Sequence, residues 1–394
     1  MDPLPSVQRA PSGTWKNIRW TVLPATPAFG VNSPAVGSTF QVFGWSGGYV
    51  GFTITPGPTT AAQLADPTIL SSYSTDGVHW HTGQKLDTTR ASSHGYFDVV
   101  RSVIEGPTGL LAVGWTGGCG SEYLGSLWTS SDGTSWQPVD AGKVFGVDPW
   151  HIAHVSGGAA GYVAVAYGSA GAWTSKDGRN WRRVPLSTGA FENSLVDDGT
   201  ANSGGFVLAG TAGTQDCGGT SYDGSPPPPI SRTATVWLSA DSSSWTRISL
   251  PGAIASSEYR DTWVCRLSDR ALLVVDDISG AERSAWASKD GRTWTAVNLP
   301  DDIDQRDILS GGQHNLIVEP ALTANKLVDL VNLRLRTIDD GFAVVAVDQS
   351  GEVPHLVYSN WGGPTYGLVA LGPTGVVVTN TDGSQLWFGT PSAE

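Results

Sequence analysis

One short pattern recurs five times along this 394-residue chain and limits what it can fold into. YSTDGVHW ends at Trp80, WTSSDGTSW at Trp136, WTSKDGRNW at Trp181, WLSADSSSW at Trp245 and WASKDGRTW at Trp294. The aspartates Asp76, Asp132, Asp177, Asp241 and Asp290 follow one another by 56, 45, 64 and 49 residues. Periods of that size mark repeated supersecondary units that bury their apolar faces against one another. Upstream of the copies run the apolar stretches GGYVGFTI, TGLLAVGW, AGYVAVAY, GGFVLAG and RALLVV. Two further runs, DGFAVVAV and TGVVVTN, continue the series without a full motif.

Each unit reads as four short strands, A to D. Strand A is a weakly alternating segment such as FDVVRSVI, and strand B is the apolar run. Strand C begins at the aromatic before the serine, and strand D follows the last Trp of the motif. The Ser-x-Asp-Gly segment is then the C–D hairpin, where Asp caps turn amides and Gly supplies a positive φ. Those five aspartates are therefore read as structural. With 50 Gly and 24 Pro, no helical periodicity is sustained.

The two ends of the sequence complete the count. QLWFGTP matches a strand C with nothing after it, and SGTWKNI matches the missing strand D, with Trp15 as its wedge. Pairing them closes a ring and removes exposed sheet edges. The interval beyond Asp290 holds two further units at the observed spacing. The expected fold is all-β: a seven-bladed β-propeller of four-stranded antiparallel blades, with six or eight blades as the alternatives. It forms one domain over 1–394, with 1–13 a tail and about 298–330 an insertion fitting no strand slot. Blade six is the least regular, since VYSNWGG puts Trp361 where the aspartate belongs.

At these motifs the chain resembles the Asp-box, or bacterial neuraminidase repeat, propellers of the sialidase-like superfamily. That family includes sialidases, xyloglucan-cleaving glycosidases, sortilin-type receptors and photosystem assembly factors. The resemblance spans almost the whole chain and implies the propeller fold. It implies no single activity, because the box is a turn device that enzymes and non-enzymes share. The box here is one residue more compact than the family's Ser-x-Asp-x-Gly-x-Thr-Trp. No Arg-Ile-Pro is present, and Arg101, Arg260 and Arg266 do not make a recognisable arginine triad. Sialidase activity is disfavoured on both counts.

Composition narrows the remaining functions. A formal charge of −13 argues against a nucleic-acid or anionic-membrane binder, and no apolar stretch reaches the roughly 20 residues of a membrane span. The start, Met1-Asp2-Pro3-Leu4-Pro5, lacks the features of a secretory signal. The composition still reads as extracellular or cell-surface with the signal removed, a cytoplasmic place being the alternative. Cys119 and Cys217 lie in two similar Gly-rich loops and form a disulfide candidate; Cys265 reads as a buried thiol.

With alternating strands, the B–C and D–A connections share one face, and the long ones belong to it: 55–72, 116–125 and 211–235. Segments entering strand A bring His94, Tyr96, Asp98 and Arg101, then Trp150 and His151, then Glu192, then Glu258, Tyr259, Arg260, Asp261 and Trp263. The 298–330 stretch adds Arg306. Aromatic rings among carboxylates, Arg and His suit sugar recognition. Glu192, Glu258 and Asp261 are the candidate catalytic carboxylates, since glycoside hydrolysis needs a pair. His151 and His154 are three apart on a strand, so they face opposite ways and make no metal pair. The expectation is a monomeric glycan-binding propeller that hydrolyses its ligand if it is an enzyme, with no metal or cofactor. A non-enzymatic scaffold for a protein partner is the alternative.

Overall fold

The computed structural model describes residues 15, 17–24, 38–55, 59–60, 63–64, 67–87, 99–118, 121–145, 152–166, 171–187, 189–214, 231–255, 260–266, 271–277, 283–299, 303, 308–311, 314–321, 330–338, 344–350, 352, 354–357, 368–380 and 383–392. Two compact units divide the chain, one of residues 1–144 with 302–394 and one of 145–301. Sheets that are antiparallel but for one strand pair make up both.

In the first unit β1 (Asn17–Leu23) precedes a four-stranded sheet of β2 (Thr39–Trp45), β3 (Gly48–Thr55), β6 (Thr68–Ser74) and β7 (His81–Lys85). A small hairpin, β4 (Thr59–Thr60) and β5 (Gln63–Leu64), is carried between β3 and β6. Next come β8 (Val99–Gly106), β9 (Gly109–Gly118), β10 (Ser121–Ser130) and β11 (Gln137–Val139), then the short helix α1 (Ala141–Phe145).

The second unit holds three four-stranded sheets in sequence order. The first is β12 (Ile152–Gly158), β13 (Gly161–Ala166), β14 (Ala172–Ser175) and β15 (Trp181–Arg183). The second is β16 (Ser194–Asn202), β17 (Gly205–Thr214), β18 (Ser231–Ser239) and β19 (Thr246–Ala255). The third is β20 (Arg260–Arg266), β21 (Ala271–Asp277), β22 (Arg283–Ser288) and β23 (Thr295–Val297).

The chain then returns to the first unit. There β24 (Ile308–Gly311), β25 (His314–Ala321), β26 (Leu330–Ile338) and β27 (Val344–Ala346) follow the same antiparallel path, and β29 (His355–Val357) pairs the start of β26. The last sheet is mixed. Its order is β28 (Asp348–Ser350), β1, β32 (Leu386–Pro391), β31 (Val376–Thr379) and β30 (Val369–Leu371), with β28 parallel to β1. The N-terminal strand thus pairs antiparallel with the C-terminal one, from Ile18↔Pro391 to Leu23↔Leu386.

The second strand β13 (GYVAVA) is buried along its whole length, which is why it reads as an unbroken apolar run. The motif makes the turn between third and fourth strands from its own atoms. At Asp177, the Ser175 hydroxyl donates to Oδ1 (3.1 Å) and accepts from Gly178 N (2.9 Å), while Oδ1 also accepts from Arg179 N (2.9 Å) and Asn180 N (2.7 Å). Gly178 takes φ 72°, as Gly77, Gly133 and Gly291 do at φ 80°, 77° and 71°. Side chains avoid that region, which explains the glycine.

The tryptophans divide as two layers, with one correction. Those at Trp128, Trp173, Trp237 and Trp286 lie two residues before the serine; Trp128, Trp237 and Trp286 are thus toward the end of the third strand instead of at its beginning, while Trp173 is second in the short β14. In the first sheet that slot is Ser72, since Tyr73 falls one residue later and stacks on His81 (5.2 Å). In the last sheet Trp20 lies opposite Gly389, the register that Trp181 holds opposite Ser175, so Trp20 and not Trp15 is the wedge there.

An apolar residue after each wedge fits against the next motif's tryptophans. Leu86 shares a core with Trp128 and Trp136, and Leu250 shares one with Trp286 and Trp294. Phe145 meets Trp173 (5.3 Å) and Trp181 (5.2 Å), and Phe191 meets Trp237 (5.3 Å) and Trp245 (5.5 Å). Each pair of rings is therefore closed by a residue from an earlier segment of the chain. Polar ties add to this. The Tyr49 hydroxyl donates to Gly375 O (2.8 Å), and the Thr374 hydroxyl donates to Asp76 O (2.8 Å). Buried Asp198 accepts from Gly199 N (2.7 Å) and Val264 N (2.9 Å), joining β16 to β20.

Three other expectations change. The 298–330 stretch holds β24 and β25, the first two strands of a sheet, because HNLIVEPA pairs as a strand without any Trp or Gly lead. DGFAVVAV supplies the fourth strand β27 instead of a second strand. Between Thr116 and Gly125 β9 and β10 extend in register to Gly118↔Ser121, so the long loop expected there is mostly strand.

Candidate functional site

A half-open cleft of about 460 Å³ lies in the second unit, where β15 gives way to β16. Val184, Pro185, Leu186, Phe191 and Val196 form its apolar wall, and Gly171 opens one side. Arg183, Ser187 and Ser194 supply its polar groups. These residues come from the end of β15, the D–A connection, the start of β16 and the residue before β14, on the face where the sequence concentrates its long connections.

Local structure holds the walls in place. Val184 N donates to Ala172 O (2.8 Å), which extends the sheet one residue beyond β15. Pro185 has no N–H to continue the ladder. A 3-10 turn, Gly189–Phe191, follows, with Glu192 N donating to Gly189 O (3.3 Å). Asn193 then takes a left-handed φ of 53°, and its carbonyl accepts from Gly213 N (3.0 Å). Phe191 is pinned between Trp237 and Trp245, so this wall cannot shift without opening the core behind it. Arg183 lies over the Trp173 ring, 5.8 Å from its centroid, a geometry in which the ring quadrupole attracts the cation.

Glu192 is exposed beside this wall. Its carbonyl accepts from Arg247 Nη1 (3.2 Å) and from the Ser194 hydroxyl (3.3 Å), so the backbone here is fixed. Among the other expected site residues, Arg101 is half-buried on β8. Trp263 is 7% exposed, on β20 opposite Val274, and packs inside instead of facing a ligand. Arg260 and Asp261 lie on β20 opposite Asp277 and Asp276, but their side chains fall outside the described residues. His94, Tyr96, Asp98, Trp150, His151, Glu258, Tyr259, Arg306, Cys119 and Cys217 also lie outside them. Cys265 keeps partial exposure; desolvation, then the nearby Asp198 charge, pushes its thiol far above the ordinary range.

Of the expected residues, then, Glu192 alone is described at the cleft. Arg183, Ser187 and Ser194 were not singled out by the sequence. The available signal was Trp-Arg-Arg-Val-Pro, an arginine between the wedge and a strand-ending proline.

The motif aspartates are committed to their turns. Burial by itself raises the Asp76, Asp132 and Asp177 carboxyls, but the hydrogen bonds they accept outweigh it. Asp76 is held at about 2, and Asp132 and Asp177 below their ordinary value. Asp290 is also held at about 2, chiefly by the Thr293 and Arg292 amides, and Asp241 is lowered first by the Ser243 hydroxyl and then by its amide. A smaller groove of about 230 Å³ passes Asp241 and Asp290, but both carboxylates there already accept turn amides. Among the described residues no group of three His, Cys, Asp or Glu could hold a metal. None of their helices is long and apolar enough to cross a membrane.

No family's sequence model matches the chain, and no curated protein matches it. Solved structures do. A Trypanosoma rangeli sialidase is 16% identical with a TM-score of 0.39, over 98% of this chain and 60% of that one. The chain therefore spans about three fifths of that sialidase's length. Zg3597, a family 117 glycoside hydrolase of Zobellia galactanivorans, is 10% identical with a TM-score of 0.35, over 78% and 86%. The Aleuria aurantia lectin, a six-bladed β-propeller that recognises fucose, is 12% identical with a TM-score of 0.35, over 81% and 96%. The likeness is to glycan-acting enzymes and a lectin, and at these scores it carries no argument about this chain's chemistry.

Proposed function

We propose that the chain is a carbohydrate-binding β-propeller of the Asp-box type, extracellular, and that the cleft beside Glu192 holds its glycan. The cleft itself carries this reading. An apolar wall of Pro185, Leu186 and Phe191 suits the C–H face of a sugar, and the hydroxyls of Ser187 and Ser194 with Arg183 suit its oxygens. The wall is fixed from behind by two tryptophans, so little ordering is required on binding. The finer fold belongs to the same proposal: seven blades in one domain, with β1 as the fourth strand of the last.

Retention of the full chain on a panel of immobilised polysaccharides tests the reading. Ser187 is exposed, so Ser187→Trp fills the cleft without disturbing the core; retention should fall at least tenfold, as a blocked pocket requires. Retention on no polysaccharide would discard the glycan reading in favour of a protein-binding scaffold.

Hydrolysis is the further step in this proposal. Among the described residues the cleft lining holds no carboxylate, and the nearest candidate, Glu192, is exposed beside its wall. Where cleavage occurs, Glu192 at the rim is one carboxylate and Glu258 or Asp261 its partner. Glu192→Gln and Glu258→Gln should each stop the release of reducing ends; unchanged release from both variants removes the assignment.

A further inference from the structure

Resting on the reading of the cleft as a glycan site, we infer that the glycan is acidic, and that Arg183 is its anion contact with Arg247 beside it. The two arginines hold the same place in the repeat. Arg183 lies opposite Trp173 across β14 and β15, and Arg247 lies opposite Trp237 across β18 and β19. The repeat does not call for a cation there: Pro138 lies opposite Trp128, Ala296 opposite Trp286 and Val22 opposite Trp387.

Both arginines face the same connection. Arg183 lines the cleft together with Phe191 and Ser194, and Arg247 binds the carbonyl of Glu192 between them in sequence. Among the described residues, Arg183 is the one charged residue in the cleft lining. The contact with Trp173 keeps the guanidinium 5.8 Å from the ring centroid, and its planar fork of donors matches a carboxylate or a sulfate better than a lone hydroxyl.

The hairpin that carries Arg183 is basic, with Lys176 and Arg179 in its C–D turn, at the end away from the cleft. Lys176, Arg179 and Arg182, all exposed, lie with Arg183 on one hairpin. Asp177, its one acidic residue, already accepts two backbone N–H groups. A chain of net charge −13 thus collects four cations within one short segment. Charges farther away than about 10 Å are largely screened at 0.1 M salt, so the Arg183 guanidinium and the exposed Glu192 beside the wall, not the net charge, set the local field.

The test compares polymers that differ in charge alone: polygalacturonate against its methyl ester, and dextran sulfate against dextran, each titrated onto the full chain. At least one acidic member should bind tenfold or more tightly than its neutral twin, and raising NaCl from 50 to 500 mM should weaken it. Preference for polygalacturonate identifies a carboxylate, for dextran sulfate a sulfate. Arg183→Gln should lose at least tenfold, Arg183→Lys should recover part, and Arg247→Gln should lose less. Arg19→Gln on β1, also exposed, should lose nothing. Equal affinity for charged and neutral twins, with Ser187→Trp still blocking both, overturns the acidic ligand and leaves the glycan site standing. Equal losses in Arg183→Gln and Arg19→Gln overturn it as unspecific charge attraction. Failure of all four polymers, together with the wider polysaccharide panel, would instead reject the glycan reading itself.

Discussion

The sheet of β12–β15 and the sheet of β16–β19 carry the same motif in the same unit, yet they build its turn differently. In the first, Gly178 takes φ 72° and its carbonyl accepts from Trp181 Nε1 (2.9 Å). In the second, Ser242 stands at the glycine position with φ 65°, and Trp245 Nε1 has no partner. What both keep is the serine, the aspartate and the amides two and three residues on. The motif is thus a carboxylate-centred turn, with glycine and the indole hydrogen bond as separable additions. Trp136 makes the same point from the other side, since its Nε1 lacks a partner although Gly133 is present.

The comparison is most strongly exposed to failure at the tryptophans common to both sheets. Trp173 and Trp237 are 2% and 0% exposed, so Trp173→Ala and Trp237→Ala should each cost about 3–5 kcal/mol. Urea unfolding measures this. A loss under about 1 kcal/mol at either site would show that the two sheets do not share a packing scheme.

Acid sharpens the comparison next. Every motif carboxyl has a folded value below the usual 3.8, so the unfolded chain binds more protons as pH falls. Stability from these turns is fully present above about pH 4 and is lost as the pH falls towards 2. Asp177→Asn and Asp241→Asn should each flatten the urea midpoint between pH 4 and 2. If one variant keeps the full slope, that aspartate is not what holds its turn.

The smallest effect is the most pointed. Ser242→Gly should stabilise the protein by up to about 1 kcal/mol, because glycine accepts a positive φ without steric cost. Gly178→Ser should destabilise it by about 1–2 kcal/mol for the same reason. Matching signs for the two exchanges in thermal unfolding would mean that backbone strain is not what separates the two turns.

What the sequence disclosed follows from how local each feature is. The turn at Asp177 is made of atoms within five residues, and its chemistry was legible down to the glycine. The pairing of the two terminal strands was legible too, from SGTWKNI and QLWFGTP. Its register was not, because choosing Trp20 over Trp15 requires knowing that Gly389 lies opposite. The stretch 298–330, which holds β24 and β25, was read as an insertion because it fits no strand slot. The signal of its sheet is quieter: Asp339-Asp340-Gly341 falls between β26 and β27, about where the next motif is due. Glu192 could be picked out as a carboxylate at a strand entry. Arg183 could not, since its place depends on Trp173 across the sheet and on Phe191 wedged into the next pair of rings.

The pairing of β1 with β32 has a consequence for how the protein is made. β1 leaves the ribosome long before its partner exists, and β32 is almost the last segment of this chain to appear. Until then a row of backbone donors and acceptors on β1 lacks the partner that β32 will supply. Holding β1 in reserve adds little entropy cost, since loop closure grows only as the logarithm of length, but it makes the last step slow. Folding of the last sheet must wait for β32, so that an early strand joins one made much later.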